Sequence, residues 1–109
     1  MSSKTIAHAI QVLEGLLKGL DQAFWEANSV DRKDFIYDLI GAVHGELSEL
    51  NKLSVQDHDL QYEPISEEIQ LIGAKLARLQ SLSAEFLLRA TTTKRLDALI
   101  NDVKGLMKF

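Results

Sequence analysis

Two glutamates, Glu46 and Glu49, lie three residues apart in the middle of the chain, and this spacing could support metal chemistry. On a helix, residues three apart occupy neighbouring positions of one face. A second acidic pair on a facing helix would complete a set of carboxylates able to hold Mg²⁺ against a triphosphate. Glu67 and Glu68 are the candidates for that second pair. Mg²⁺ is therefore the alternative to the simpler prediction, a solvated acidic face with no cofactor.

The segment Gly45-Glu46-Leu47-Ser48-Glu49-Leu50 resembles the all-α nucleotide pyrophosphohydrolases of the MazG type, which carry an E-x-x-E pair followed by an E-x-x-D pair. The resemblance implies an Mg²⁺-dependent nucleotide hydrolase. The chain departs from the second pair, because Gln70 stands three residues after Glu67 and Leu71 three residues after Glu68. We do not assign the chain to this family, and the hydrolase is kept as an alternative function.

The three histidines offer a second kind of chemistry. The stretch around His8 is similar to a phosphotransfer helix, in which an exposed histidine accepts a phosphoryl group, although Gln11 stands where a lysine would be expected. Histidine phosphotransfer through His8 or His44 is therefore a second alternative. The simpler prediction makes His44 a partly buried packing residue and places His58, between two aspartates, in a solvated loop.

Composition excludes several other classes of protein. The formal net charge of −4 and the scattered basic residues disfavour a nucleic-acid partner, because such proteins need a basic face to neutralise phosphates. The absence of cysteine excludes disulfides and thiolate sites. No apolar stretch is long enough to span a membrane, and the first residues lack the apolar core of a signal peptide. We expect a cytoplasmic protein without a membrane partner.

Apolar residues recur every three or four positions, which predicts amphipathic helices. The first helix should be capped by Ser2 or Ser3 and end near Asn28, and the second should follow Ser29 or Asp31 and fade after Leu53. Their predicted apolar faces are Ile6, Ile10, Leu13, Leu17, Leu20 and Phe24 in the first helix, and Ile36, Leu39, Val43, Leu47 and Leu50 in the second.

A predicted loop, Ser54 to Glu63, leads to a third helix with Pro64 in its first turn. Thr91 to Thr93 should break the chain before a fourth helix from about Lys94 to Met107, because three β-branched residues disfavour helix. One continuous helix from Pro64 to Met107 is the alternative. The predicted inner face of the third helix is Ile65, Ile69, Ile72, Leu76, Leu79, Phe86 and Leu87.

A strip of small residues beside the first apolar face predicts close packing of another helix, within the fold or between subunits. The strip consists of His8, Val12, Gly15, Gly19 and Ala23. Trp25 projects away from the apolar face, and Leu71 and Leu82 widen the apolar face of the third helix. We expect this apolar surface to exceed what a chain of this length covers by itself, so these eight residues are the predicted interface of a homodimer or of a complex with another protein.

The predicted fold is a single all-α domain over residues 1–109, an antiparallel up-down-up-down four-helix bundle. The alternative is a three-helix subunit with a long C-terminal helix in an intertwined dimer. No nucleophile elbow or phosphate-binding glycine loop is present, so no catalytic residue is nominated. The predicted function is a non-enzymatic interaction or regulatory module.

Overall fold

The computed structural model describes residues 4–86 and 89–107, without the side chains of Ser83, Ala84 and Phe86. Within these ranges the chain forms helices and no β-strand, which confirms the all-α class. The α-helices are α1 (Ile6–Glu26), α2 (Val30–Asn51), α3 (Glu67–Gln70), α4 (Ile72–Phe86) and α5 (Ala90–Met107). A 3₁₀-helix, Val55–Asp59, lies between α2 and α3, inside the segment predicted as a loop.

Three helices begin with the same kind of cap. Thr5, Ser29 and Ser66 precede α1, α2 and α3, and each side-chain oxygen accepts from the backbone N–H three residues later. Ser29 was among the predicted caps and is confirmed. The predicted cap of α1 is wrong, because Thr5 fills that position; Ser2 and Ser3 themselves lie outside the described residues. Pro64 precedes the helical segment rather than lying in its first turn.

The turn between α1 and α2 begins close to the predicted end of the first helix near Asn28. Helix α1 ends at Glu26, and its cap residue Ala27 has an extended backbone. Asn28 donates its side-chain amide to the carbonyl oxygen of Glu85, and Arg32 donates both to Asn28 and to the same carbonyl. These hydrogen bonds tie the α1–α2 turn to the end of α4.

The break between the last two helices comes earlier than Thr91. Helix α4 ends at Phe86 and α5 begins at Ala90, so the three threonines lie in the first turn of α5. Both the predicted start near Lys94 and the single helix from Pro64 to Met107 are wrong. Thr92 is compatible with helix here because its hydroxyl donates to Glu26 and accepts from Gln22 of α1.

The long helices enclose one apolar core. Helix α1 packs against α2 and α5, while α4 packs against α2 and α5. Of the predicted inner face of the third helix, Ile65 is exposed. The side chain of Phe86 and the whole of Leu87 are outside the part of the chain that the structure describes. The largest fully buried side chains are Leu13, Leu16, Leu20, Ile36, Leu39, Leu50, Ile69, Ile72, Leu76, Leu79, Leu96 and Ile100.

The buried face of α1 is rotated relative to the prediction. Ile10, Leu17 and Phe24 are only partly buried, whereas Ala9 and Leu16 are fully buried. The rotation follows from the position of α1 between α2 and α5, because both sides of the helix then need apolar or small residues.

The start of the described chain is held to the segment before α3. Thr5 and Gln61 form an isolated antiparallel β-bridge, with backbone hydrogen bonds from Ile6 to Leu60 and from Tyr62 to Lys4.

Among residues 4–86 and 89–107, no helix is both long and apolar enough to cross a membrane.

Candidate interaction surface

Three aromatic rings meet where α1 turns into α2. The ring of Phe24 makes an edge-to-face contact with Trp25, with 5.4 Å between centroids, and a tilted contact with Tyr37 at 6.2 Å. Both separations lie in the range of favourable aromatic pairs. Phe24 is partly buried against the core, so it anchors the other two rings to the fold.

Lys33 makes cation–π contacts with two of these rings. Its ammonium nitrogen lies 4.9 Å from the centroid of Phe24 and 5.8 Å from that of Trp25, within cation–π range. The same nitrogen donates to the backbone carbonyl oxygen of Phe24 at 2.6 Å, which also accepts from the Ala27 N–H at the end of α1. Lys33 therefore holds both the backbone and the rings of this turn.

The outer surface of this group is apolar and open to solvent. Trp25 and Val30 are each 73% exposed, and Tyr37 is 63% exposed. We refer to Phe24, Trp25, Val30, Lys33 and Tyr37 as the aromatic corner. Large side chains held rigidly at the surface present contact area at a low entropic cost, which is a common property of protein interfaces.

The exposed face of α2 continues from the aromatic corner. Gly41 and Gly45 lie on it, and a Cβ atom added at either position would meet no heavy atom within 4 Å. Asp34 is exposed on the same helix, and the exposed cap residue Lys52 follows its last residue, Asn51. We call Val30, Asp34, Gly41, Gly45 and Lys52 the open face of α2.

The predicted small-residue strip of α1 lies mostly inside the molecule. Gly19 and Ala23 are buried, Val12 and Gly15 are partly buried, and only His8 is exposed. A Cβ atom at Gly19 would overlap Leu99 of α5, and one at Gly15 would contact the same side chain at 3.4 Å. Close packing is confirmed within the fold, and Gly19 and Ala23 are not accessible to a partner.

The other predicted interface residues have different surroundings. Trp25 belongs to the aromatic corner. Leu71, which separates α3 from α4, is 72% exposed and borders a shallow groove with Asp38 and Lys75. Leu82 is partly buried and packs against the core.

The Glu46 carboxylate is fully buried and saturated with hydrogen bonds. One oxygen accepts from Tyr62 Oη at 2.7 Å and from the Ile65 N–H at 2.9 Å. The other accepts from the Ser66 N–H at 2.8 Å and from the Ile65 N–H at 3.2 Å. These bonds come from three donors, because both oxygens share the Ile65 N–H, and full burial leaves no exposed edge of the carboxylate for a metal. Burial, together with the hydrogen bond and the charge of Glu46, raises the pKa of Tyr62 well above its ordinary value.

The remaining predicted carboxylates do not join Glu46. Glu49 pairs with Lys52 at 3.2 Å on the surface, and Glu67 and Glu68 are exposed in the first turn of α3. Within the part of the chain that the structure describes, no group of three or more histidine, aspartate or glutamate side chains could hold a metal ion. Glu46 anchors the segment before α3 instead.

The histidines lie apart from these carboxylates. His8 is exposed and borders a groove with Lys4 and Asp102. His44 is exposed, so its predicted role as a partly buried packing residue is wrong. His58 is partly buried in the 3₁₀-helix rather than in an open loop.

Val30, Lys33 and Tyr37 are the members of the aromatic corner that the sequence analysis missed. Periodicity assigns residues to faces of their own helix, whereas Lys33 reaches α1 across a turn. A usable signal was present, because two aromatic residues end α1 and Tyr37 lies two turns into α2.

Comparisons with protein-family models, curated proteins and solved structures find no significant match to this chain.

Proposed function

We propose that the protein is a non-enzymatic, cytoplasmic protein–protein interaction module that binds its partner through the aromatic corner. The observation that carries this proposal is the exposure of Trp25, Val30 and Tyr37 around the α1–α2 turn and the first two turns of α2. Tryptophan and tyrosine are enriched among the residues that dominate binding energy at interfaces. Lys33 lies over the rings of Phe24 and Trp25, and Phe24 contacts Tyr37, so the rings are positioned before binding, which lowers the entropic cost of association.

We further propose an antiparallel up-down-up-down four-helix bundle as the architecture that presents the corner. The packing pairs α1–α2, α2–α4, α4–α5 and α5–α1 support it, because each helix then contacts two neighbours in a closed square. Short connections between α1 and α2 and between α4 and α5 favour antiparallel neighbours.

The interaction role is preferred to the two enzymatic alternatives on the basis of specific contacts. An Mg²⁺-dependent hydrolase would need Glu46, whose oxygens already accept from Tyr62, Ile65 and Ser66. Phosphotransfer through His8 would place a phosphoryl group in a groove that both Lys4 and Asp102 border, so the attraction of one charge is opposed by the repulsion of the other.

The test compares three tagged proteins in affinity capture from cell lysate, followed by quantitative mass spectrometry. They are the wild type, the aromatic-corner variant Trp25→Ala/Tyr37→Ala, and the control Leu60→Ala/Ile65→Ala, which removes two other exposed apolar side chains. We expect stoichiometric proteins that the wild type and the control retain and that the corner variant loses. Equal capture by all three would contradict the proposal.

A further inference from the structure

The open face of α2 has a regular arrangement that runs the length of the helix. Val30, Asp34, Gly41, Gly45 and Lys52 follow one another at spacings of four, seven, four and seven residues, and these spacings keep them on one stripe of an α-helix. Of the long helices, α1 and α4 pack against α2, and both glycines remain open to solvent. Among the residues that the structure describes, nothing therefore packs on this stripe at Gly41 or Gly45.

The exposed glycines contrast with those of α1. Glycine weakens the interior of a helix relative to alanine, and at Gly19 this cost is offset because Leu99 of α5 occupies the space. At Gly41 and Gly45 no atom of the described chain uses the space. A second helix approaching the open face would use it, and Val30 and Tyr37 provide exposed apolar surface beside it.

Two charges on the open face are complementary to those of a second copy, although Lys52 also pairs with Glu49 of its own chain at 3.2 Å. Asp34 lies seven residues before Gly41, and Lys52 lies seven residues after Gly45. If two such helices cross antiparallel with each Gly41 opposite Gly45 of the other, each Asp34 lies opposite a Lys52. The stripe is thus complementary to itself under a two-fold rotation, as a symmetric dimer interface requires.

We propose that a second copy of this chain docks antiparallel on the open face of α2, with its two-fold axis between Gly41 and Gly45 and with reciprocal Asp34–Lys52 ion pairs. This inference rests on the proposed function and names the partner. Tyr37, which is 63% exposed, flanks the contact and enlarges the apolar area that it buries.

The ion pairs require a shallow crossing of the two helices. Asp34 and Lys52 each lie about 13 Å along the axis from the crossing point, from the rise per residue. At a crossing angle of about 20° the axes separate sideways by only about 5 Å at that distance, which a lysine side chain spans. Glycine at the crossing point allows such close approach, because its backbone carries no Cβ atom.

The first experiment measures mass by sedimentation velocity over a dilution series for the wild type, Gly45→Leu and the control Gly105→Leu. Gly105 lies on α5 and is also open to added atoms. We expect the wild type and Gly105→Leu to shift from one copy to two with concentration, while Gly45→Leu stays monomeric. The melting temperature of Gly45→Leu as a dilute monomer should be no lower than that of the wild type, because leucine fits the open space and favours helix.

The second experiment tests the register by exchanging charges. We expect Asp34→Lys and Lys52→Asp each to raise the dissociation constant by about tenfold, and the double exchange to restore it nearly to the wild-type value. The control Asp102→Lys, on α5, should leave it unchanged. Failure of the double exchange to restore dimerisation would overturn the proposed register.

A wild-type protein that stays monomeric at every concentration would overturn the second-copy inference. If corner-dependent capture from lysate persists in that case, the proposed interaction function stands with a different partner. If such capture is also absent, both proposals fail.

Discussion

Glu46 accepts hydrogen bonds at both carboxylate oxygens, and the donors, Tyr62, Ile65 and Ser66, all lie in the segment that joins the 3₁₀-helix to α3. This segment has little regular structure of its own, so its backbone N–H groups need acceptors from elsewhere. The buried charge is tolerated because it is fully hydrogen-bonded. Glu46 therefore determines where the chain turns into α3, since the cap residue Ser66 is itself bound to it.

Replacing Glu46 should destabilise the fold. In Glu46→Gln one carboxylate oxygen becomes an NH₂ group, which cannot accept from Ile65 or Ser66. We expect a loss of about 1–3 kcal/mol in the free energy of unfolding, the usual cost of an unsatisfied buried donor. The matched control Glu49→Gln removes only a surface ion pair and should cost less than about 1 kcal/mol. Urea denaturation measures both, and equal effects would contradict the anchoring role.

Tyr62 should make stability depend on alkaline pH. Its pKa is raised in the folded state by burial and by Glu46, so the unfolded chain releases this proton first as pH rises. The stabilising contribution is complete below the unfolded pKa of about 10 and decreases above it. We expect the free energy of unfolding to fall more steeply above about pH 10 in the wild type than in Tyr62→Phe.

The control for that measurement is Tyr37→Phe, which alters an exposed tyrosine in the aromatic corner. It should keep the steep alkaline decrease of the wild type. Identical alkaline profiles for the wild type and Tyr62→Phe would contradict the role of the buried hydroxyl.

Among the helix contacts, the one between α1 and α5 depends on the absence of a side chain. Gly19 faces Leu99 so closely that a Cβ atom would force this leucine to move. The contact is reinforced at its end, where Thr92 of α5 bonds to Gln22 and Glu26 of α1. The small-residue spacing in α1 therefore sets the distance between these two helices.

A large side chain at Gly19 should push α1 and α5 apart. We expect Gly19→Leu to destabilise the protein by about 1–3 kcal/mol, which is typical of overpacking. Combining it with Leu99→Ala should recover part of this loss, because the two residues share one space and their effects are not additive. A double-mutant cycle by thermal or urea unfolding measures the coupling, and strict additivity would contradict the contact.

The sequence predicted which segments are helices better than where the helices begin. Periodic apolar residues located all four long helical segments, but capping residues compete when several stand close together. Ser2, Ser3 and Thr5 are all residue types that cap helices well. Thr5 is the cap in the structure, and its backbone also forms the bridge with Gln61. The threonines at 91–93 join α5 because Thr92 finds partners on α1, which one helix's sequence cannot reveal.

The candidate site was predicted only in part, because helical spacing shows the face of a residue but not its contacts with other segments. The off-face position of Trp25 is visible in the helical spacing, and it was predicted as an interface residue. The partnership of Lys33 with Phe24 crosses a turn, and the saturation of Glu46 depends on residues sixteen to twenty positions away. Contacts of this kind arise only from the folded arrangement.

At the scale of the whole molecule, the single tryptophan reports on association rather than on folding. Trp25 is 73% exposed, so its emission in the dilute monomer should lie close to that of the unfolded chain, while far-ultraviolet circular dichroism falls cooperatively. If a second copy covers the aromatic corner, the emission should shift to shorter wavelength as concentration rises. The Gly45→Leu variant should lack this shift, and a shift equal to that of the wild type would contradict the link between the two surfaces.

Tyr62 connects distant parts of the chain, since its backbone bonds to Lys4 and its side chain to Glu46. During synthesis α1 and α2 leave the ribosome before residues 62–66, so the hairpin they form at first contains Glu46 without its donors. Water must hydrate that carboxylate until the donors emerge. The hydrogen bonds between Glu46 and residues 62–66 can therefore form only after translation has passed the start of α3.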